Sequence, residues 1–276
     1  MLLAVDVGNT HTVLGLYDGA TLAQSYRIES SKGRTADEIL VILLTLLDVA
    51  SIPRGSIDAT IIASVVPALT DVVGAATRRA FGHEPMIVGP GIKTGMPLVV
   101  DNPAELGADR IANAVAGWQR YREAVVIVDF GTGTNIDVVN AKGEYLGGAI
   151  APGLELSMDA LFARAAKLAR VELKRPERAI GKNTHQALQS GLLFGYAGLV
   201  DSLVERMKEE LATSTRVLAT GGLAFLFDGV SRTIESYDEF LTLDGLRILY
   251  NLNQGAPDRA ADKRAAAKRA APTTRD

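Results

Sequence analysis

Short apolar, β-branched runs alternate with longer amphipathic segments along the chain, and this pattern predicts an α/β protein. In the first half, Asp18-Gly19 separates two apolar runs and is a hairpin turn signal. The continuous apolar run 59–65 is typical of a strand that is covered on both faces. The predicted elements of this half are strands over 2–6, 12–17, 22–28, 59–65 and 86–88 and a helix over 69–81.

Two further helices in the first half begin with capping signals. Thr35 and Glu38 form a capping box ahead of the apolar run 39–50. The segment 102–105 reads Asn-Pro-Ala-Glu, with Asn at the N-cap, Pro at the first helical position and Glu at the third. We therefore predict a helix that starts there and runs to about Tyr121.

The strand pattern restarts near residue 124. Two successive β-β-β-α units predict two duplicated lobes, which we place at 1–122 and 123–255. Residues 256–276 are Ala-rich and basic with almost no large apolar side chain, so we expect disorder or a frayed helix there. The predicted elements of the second half are strands over 124–129, 135–139, 144–150 and 216–219 and helices over 154–168, 184–211 and 246–252.

Composition narrows the class of protein. Apolar residues make up 47% of the 276 residues, which allows a sizeable core, and the formal net charge of −3 gives no reason to expect nucleic acid or an acidic membrane as a partner. The absence of cysteine excludes disulfides, thiolate metal sites and a Cys nucleophile. Because we find neither a signal peptide nor an apolar run long enough to span a bilayer, we expect a soluble cytoplasmic protein.

A short phrase occurs once in each predicted lobe. Residues 4–10 read Ala-Val-Asp-Val-Gly-Asn-Thr, and residues 127–133 read Ile-Val-Asp-Phe-Gly-Thr-Gly. Glycine lets backbone N–H groups approach a phosphate, and the carboxylates Asp6 and Asp129 at the strand ends can bind a hard cation. A single copy would be more typical of an ordinary Asp-Gly turn, but two matching copies favour two lobes facing one nucleotide.

The usual nucleotide fingerprints are missing. Gly181-Lys182 is followed by Asn183 and lacks the upstream Gly of a P-loop, and Ile136 stands where a Rossmann fingerprint needs its last glycine.

Asp109 and Arg110 are a second candidate for chemistry. Asp109 could act as a general base for a substrate hydroxyl, and Arg110 could clamp a substrate carboxylate or phosphate. Glu105 and Asp109 are spaced i,i+4 on the predicted helix, a like-charge pair that costs a few tenths of a kcal/mol and hints that Asp109 is kept for function. A solvated Asp-Arg surface pair is the simpler alternative.

These motifs together resemble type III pantothenate kinase, of the acetate and sugar kinase/chaperone ATPase/actin superfamily. The resemblance extends from residue 3 to about 253, and its motifs are specific in combination rather than singly. The matching segments are Asp6 to Thr10, Asp101-Asn102-Pro103, Gly107 to Arg110, Asp129 to Thr132, Gly147 to Gly153, Gly181 to Thr184, Gln189 to Gly191 and Thr220 to Ala224.

The resemblance implies an α/β fold of two ribonuclease H-like lobes, the actin-like ATPase fold, and ATP-dependent phosphorylation of pantothenate, the first step of coenzyme A biosynthesis. It also implies a homodimer that shares the pantothenate pocket. Asp109 would be the catalytic base, Asp6 would support Mg²⁺, and Asp129 would bind a monovalent cation, K⁺ or NH₄⁺. The implied ATP-binding residues are Asp6, Val7, Gly8, Asn9, Thr10, His11, Thr12, Val13 and Thr132. The implied pantothenate-binding residues are Val100, Gly107, Ala108, Asp109, Arg110 and Thr184.

The sequence departs from the family pattern at two places. Val100 stands where an aromatic residue often contacts pantothenate, and Gly133-Thr134-Asn135 replaces an Ala-Thr-Thr segment. Neither change removes a charge that the mechanism needs. Two alternatives stay open, namely a kinase of the same fold for another small hydroxylated acid or sugar, and a non-catalytic accessory factor for transcription.

Overall fold

The structure is a computed structural model that describes residues 1–165 and 170–254. The predicted tail 256–276 and the predicted helix end at residue 168 lie outside these residues. The strands are β1 Leu2–Val7, β2 His11–Asp18, β3 Thr21–Glu29, β4 Ala59–Ser64, β5 Met86–Ile87, β6 Ala124–Phe130, β7 Gly133–Val139, β8 Tyr145–Pro152, β9 Thr215–Thr220 and β10 Ser236–Tyr237. The α-helices are α1 Ala36–Val49, α2 Pro67–Phe81, α3 Ala108–Tyr121, α4 Leu154–Arg164, α5 Thr184–Leu211 and α6 Leu241–Asn253.

Two five-stranded sheets repeat one topology. The first has the order β3-β2-β1-β4-β5 and the second the order β8-β7-β6-β9-β10. In each, the central strand pairs antiparallel with the next strand of its hairpin and parallel with a later strand on its other side. The predicted duplicated α/β lobes are confirmed, and because the sheets fall on either side of residue 122 we propose 1–122 and 123–255 as the lobes.

Helix α3 lies between the two sheets and is buried on most of its surface. Ile111 and Val115 pack in a cluster with the first sheet, whereas Ala114 and Ala116 pack with the second. The small side chains allow both sheets to approach this helix. The other faces of the sheets are covered separately, the first by α1 and α2 and the second by α4 and α5.

Helix α6 belongs to the second half of the chain but packs on the first sheet. Leu243, Leu246 and Leu249 share a buried cluster with residues of β1 and β4. The helix begins at Leu241, so the predicted start at residue 246 is wrong, and Gly245 lies inside the helix rather than before it. A Cβ atom at Gly245 would overlap the carbonyl oxygen of Ala112 on α3, so glycine allows the two helices to touch.

We therefore expect Gly245→Ala to lower the free energy of unfolding by about 1–3 kcal/mol, because the added methyl group must push α6 away from α3. The matched control is Gly198→Ala on the exposed face of α5, where an added Cβ meets no atom within 4 Å. That change should be neutral or stabilise by about 0.4–1 kcal/mol. Urea unfolding of both variants tests the pair, and equal stabilities would contradict the close crossing.

The predicted single helix from residue 102 to Tyr121 is wrong. Asn102 instead caps a 3-10 turn over Pro103–Glu105, and α3 begins separately at Ala108 with Gly107 as its N-cap. Asn102 donates from Nδ2 to Glu105 Oε1 over 2.7 Å. Glu105 and Asp109 therefore do not share a helix, and the like-charge argument for Asp109 fails.

Helix α5 corrects the expectation that no apolar segment could span a bilayer, since it is long and apolar enough by length and composition to cross a membrane. Its side chains Leu193, Val200 and Val204 are buried in the core of the second lobe. A core helix of a water-soluble protein meets the same criterion, and this packing favours that interpretation.

Candidate active site

The two copies of the repeated phrase face one another. In each, the chain turns tightly after the central strand, with Gly8 N donating to His11 O and Gly131 N to Gly133 O, both over 3.0 Å. The hydroxyl oxygens of Thr10 and Thr132 lie 2.8 Å apart, which joins the tips of the two loops. The lobes therefore present two glycine turns and their exposed hydroxyl groups to a common space.

Within the first loop, side chains predicted to bind ATP divide into two groups. Asn9, Thr10 and His11 are exposed, whereas Val7 is fully buried. Thr12 is also buried, and its hydroxyl hydrogen-bonds to that of Ser30 over 2.8 Å. The exposed side chains can reach a ligand, whereas those of Val7 and Thr12 cannot, and Asp6 and Val13 are half-buried.

Asp109 stands at the first turn of α3, partly buried. Its Oδ1 accepts a hydrogen bond from Arg110 N over 2.8 Å. A Cβ atom at Gly107 would lie 2.5 Å from this same oxygen, so a larger residue at position 107 would displace the Asp109 carboxylate. Burial raises the pKa of Asp109, and the backbone N–H and charge of Arg110 oppose that rise.

Asp6 and Asp129 are close enough to Asp109 for the three carboxylates to affect one another. Burial raises the pKa of Asp6 well above its usual value, and the charges of Asp109 and Asp129 raise it further. Burial, followed by the charge of Asp109, raises the pKa of Asp129 to about 7. A cation or a proton would relieve this repulsion.

Asp129 is oriented by residues that the sequence analysis missed. Asn113 on α3 is fully buried and donates from Nδ2 to Asp129 Oδ2 over 2.9 Å. Thr242 on α6 in turn donates to Asn113 Oδ1 over 2.7 Å. Gly221 follows β9 with φ +92°, and a Cβ atom there would lie 2.5 Å from Asp129 Oδ1.

Arg110 is engaged by another residue that sequence reasoning missed. Its Nε and Nη2 donate to Asp137 Oδ1 over 2.8 and 2.6 Å, and Tyr145 OH donates to the same oxygen over 2.6 Å. Asp137 is fully buried on β7, and burial raises its pKa while the contacts with Arg110 and Tyr145 oppose that rise. The sequence contained a signal for this ion pair, because Asp137 interrupts the apolar run 136–139. A carboxylate buried in such a run needs a charged or hydrogen-bonding partner.

The other two residues predicted to bind pantothenate, Val100 and Thr184, come from separate parts of the chain. Val100 packs with Tyr145 in the cluster between the lobes, with its Cγ1 3.7 Å from where a Cβ of Gly147 would lie. Thr184 is the exposed first residue of α5, next to the N-cap Asn183, whose side chain accepts from Gln186 N over 2.9 Å. The structure therefore places Thr184 on the surface.

The raised pKa of Asp129 predicts a pH-dependent stability. An acid whose pKa rises on folding stabilises the protein below its unfolded pKa, and this stability is lost as the pH rises through the folded pKa. The pKa rises from 3.8 to about 7. We therefore expect Asp129→Asn to be more stable than the wild type at pH 8, by up to about 4 kcal/mol, and equal to it near pH 4.

Urea unfolding in buffers free of potassium and ammonium measures this difference. The matched control is Asp201→Asn, because burial raises the pKa of Asp201 but hydrogen bonds from Ser231, Arg232 and Thr233 outweigh it and lower the pKa overall. That variant should be less stable than the wild type at pH 8. A destabilised Asp129→Asn at pH 8 would show that Asp129 is not a strained carboxylate.

Comparison with solved structures defines the class of this fold. A Baf family transcriptional activator from Campylobacter jejuni superposes with a TM-score of 0.58 at 18% identity, covering 91% of this chain and 98% of that one. An N-acetylglucosamine kinase from Porphyromonas gingivalis gives a TM-score of 0.52 at 13% identity, covering 92% and 100%. These likenesses concern the fold alone, and they show that this chain has the two-lobed actin-like ATPase fold.

Sequence comparison is more specific. The family model for type III pantothenate kinase matches residues 2–206. A type III pantothenate kinase from Geobacter sulfurreducens is 54% identical over 254 residues, which is 92% of this chain and 100% of that protein. The chain belongs to the type III pantothenate kinase family.

Proposed function

We propose that this protein transfers the γ-phosphoryl group of ATP to the primary hydroxyl of pantothenate, the first step of coenzyme A biosynthesis. Family membership supports the reaction, and one observation of the site carries it. The charge of Asp109 raises the pKa of both Asp6 and Asp129, and the charge of Asp129 raises that of Asp6, beside two facing glycine turns. Such a cluster suits a reaction in which a base, phosphates and cations meet.

Asp109 would act as the general base. A pKa above the usual value for aspartate makes it a better proton acceptor, while the Gly107 turn and the N–H of Arg110 fix its orientation. It would take the proton of the pantothenate hydroxyl as that oxygen bonds to the γ-phosphorus. The bond from phosphorus to the bridging oxygen breaks, and ADP leaves with the electron pair.

The carboxylates fit the cations that the family implies. Asp6 would support Mg²⁺ bound to ATP, and Asp129 would hold K⁺ or NH₄⁺ beside Gly221. Across residues 1–165 and 170–254, no three His, Asp or Glu side chains form a metal-binding cluster, so phosphates and water would supply most ligands. When bound, these ions offset charge on the transferring phosphoryl group.

Pantothenate would lie against Gly107, Ala108 and Arg110, with Val100 nearby. Because Asp137 occupies two donors of Arg110, the remaining donor edge of its guanidinium would meet the substrate carboxylate.

We propose that Thr184 acts across a homodimer. Its exposed position supports this, as do the exposed apolar side chains of Ile150 and Ile180. We also propose that the protein is cytoplasmic and binds neither a membrane nor nucleic acid.

The decisive experiment is a coupled assay of ADP release with pantothenate, compared with a panel of small hydroxylated acids and sugars. We expect turnover with pantothenate that depends on Mg²⁺ and is much slower when Na⁺ replaces K⁺. Turnover with another acceptor alone would favour the alternative kinase, and no turnover with any acceptor would favour a non-catalytic accessory factor. Equal rates in Na⁺ and K⁺ would contradict the cation role of Asp129.

A further inference from the structure

A cavity of about 510 Å³ lies away from the candidate active site, beneath the crossing of α3 and α6. Its walls come from the C-terminal halves of these two helices and from the loop 94–96. None of the residues assigned above to ATP, pantothenate or cations lines it. Its volume falls in the range of about 300–1,000 Å³ that is usual for small-molecule sites.

The charged groups that line this cavity are all positive. Arg122 and Arg247 contribute guanidinium groups, and the lining includes no carboxylate. Arg247 Nε is buried and finds no hydrogen-bond partner among the described residues, because the nearest carboxylate oxygen, Asp244 Oδ1, is 3.6 Å away. Two guanidinium groups with one carboxylate close by leave the surroundings of this cavity net positive, which favours an anionic ligand.

The rest of the lining suits an apolar or aromatic body. Trp118 lines the cavity, and its ring is closely packed, since a Cβ atom at Gly143 would lie 2.6 Å from it and the Arg122 guanidinium lies 5.8 Å from its centroid. Val115 and Ile248 add apolar surface. The indole therefore adds aromatic surface to the cavity wall beside two cations.

We propose that this cavity binds a small organic anion, a phosphate or carboxylate carried on an aromatic or apolar body. The anion would pair with Arg247 and Arg122, and the body would contact Trp118 and the apolar wall. The site is separate from the proposed catalysis and can be tested without any measurement of activity.

The probe is phenyl phosphate, followed through the fluorescence of Trp118, which is the only tryptophan in the chain. We expect a saturable change with a Kd of about 1 mM or below. Arg247→Met and Arg122→Gly should each raise the Kd about tenfold or more. Benzyl alcohol, which lacks the charge, should give no saturable change.

The Arg122→Gly variant should fold normally and so keeps the test valid if Arg247→Met misfolds. Arg122 is exposed, and its φ of +54° is a conformation that glycine adopts without strain. The matched control is Arg232→Met, an exposed arginine on the second lobe that should leave the Kd unchanged. Three outcomes would overturn the proposal: no saturable change, an equal response to benzyl alcohol, or a Kd that neither cavity variant alters.

Discussion

Asp109→Asn should lower kcat for pantothenate phosphorylation by about 10²–10⁴-fold and leave the fold intact. The amide keeps the size of the carboxylate and can still accept the hydrogen bond from Arg110 N. It cannot accept the proton of the substrate hydroxyl. Because neutralising this residue also removes repulsion from Asp6 and Asp129, stability should not fall.

Steady-state kinetics with saturating ATP and pantothenate, together with a urea unfolding curve, measure both effects. The matched control is Asp71→Asn on the exposed face of α2, which should retain the kcat of the wild type. A stable Asp109→Asn enzyme with near wild-type kcat would remove Asp109 from the role of base.

Arg110→Met should lower the free energy of unfolding by about 3–5 kcal/mol. The change leaves Asp137 buried without its cation, and Asp137 Oδ2 already lacks a hydrogen-bond partner within the described part of the chain. Tyr145 OH alone cannot compensate for a buried carboxylate. The loss should shrink as the pH falls, because removing Arg110 raises the pKa of Asp137 further and the buried carboxyl protonates more readily.

Arg216→Met is the matched control for this prediction. Arg216 pairs with Glu123 and Glu235 on the surface, so its removal should cost about 0–1 kcal/mol. The double variant Arg110→Met/Asp137→Leu should regain much of the stability that Arg110→Met loses. Equal losses for Arg110→Met and Arg216→Met in urea unfolding would show that the buried pair contributes no more than a surface pair.

The elements that local pattern specifies were predicted well. The hairpin through Asp18-Gly19, the capping box at Thr35 and the full extent of α5 follow the prediction, and both sheets begin where the repeated phrase indicates. These features depend on neighbours within a few residues, which a sequence displays directly. The meeting of the Thr10 and Thr132 loops also follows, because duplicated lobes bring equivalent turns together.

The features that were missed depend on partners distant in sequence. The side chain of Asn113 is oriented by hydrogen bonds with Thr242, which is 129 residues away, and with Asp129. The early start of α6 is set by its packing on the first sheet, which no local pattern reports. The break at Leu106 was hidden because the Asn-Pro start that indicated a long helix caps only a 3-10 turn.

The return of α6 to the first sheet affects how this protein is made on the ribosome. Residues 2–87 supply all five strands of the first sheet, but α6, at residues 241–253, is translated after both sheets. Until α6 arrives, the face of the sheet that carries Leu2, Ala4 and Ile61 has only α3 against it and lacks the part of its cover that Leu243, Leu246 and Leu249 supply. Whereas nascent proteins usually complete their N-terminal domain first, we expect the first lobe here to mature last and the nascent chain to expose an apolar surface throughout synthesis of the second.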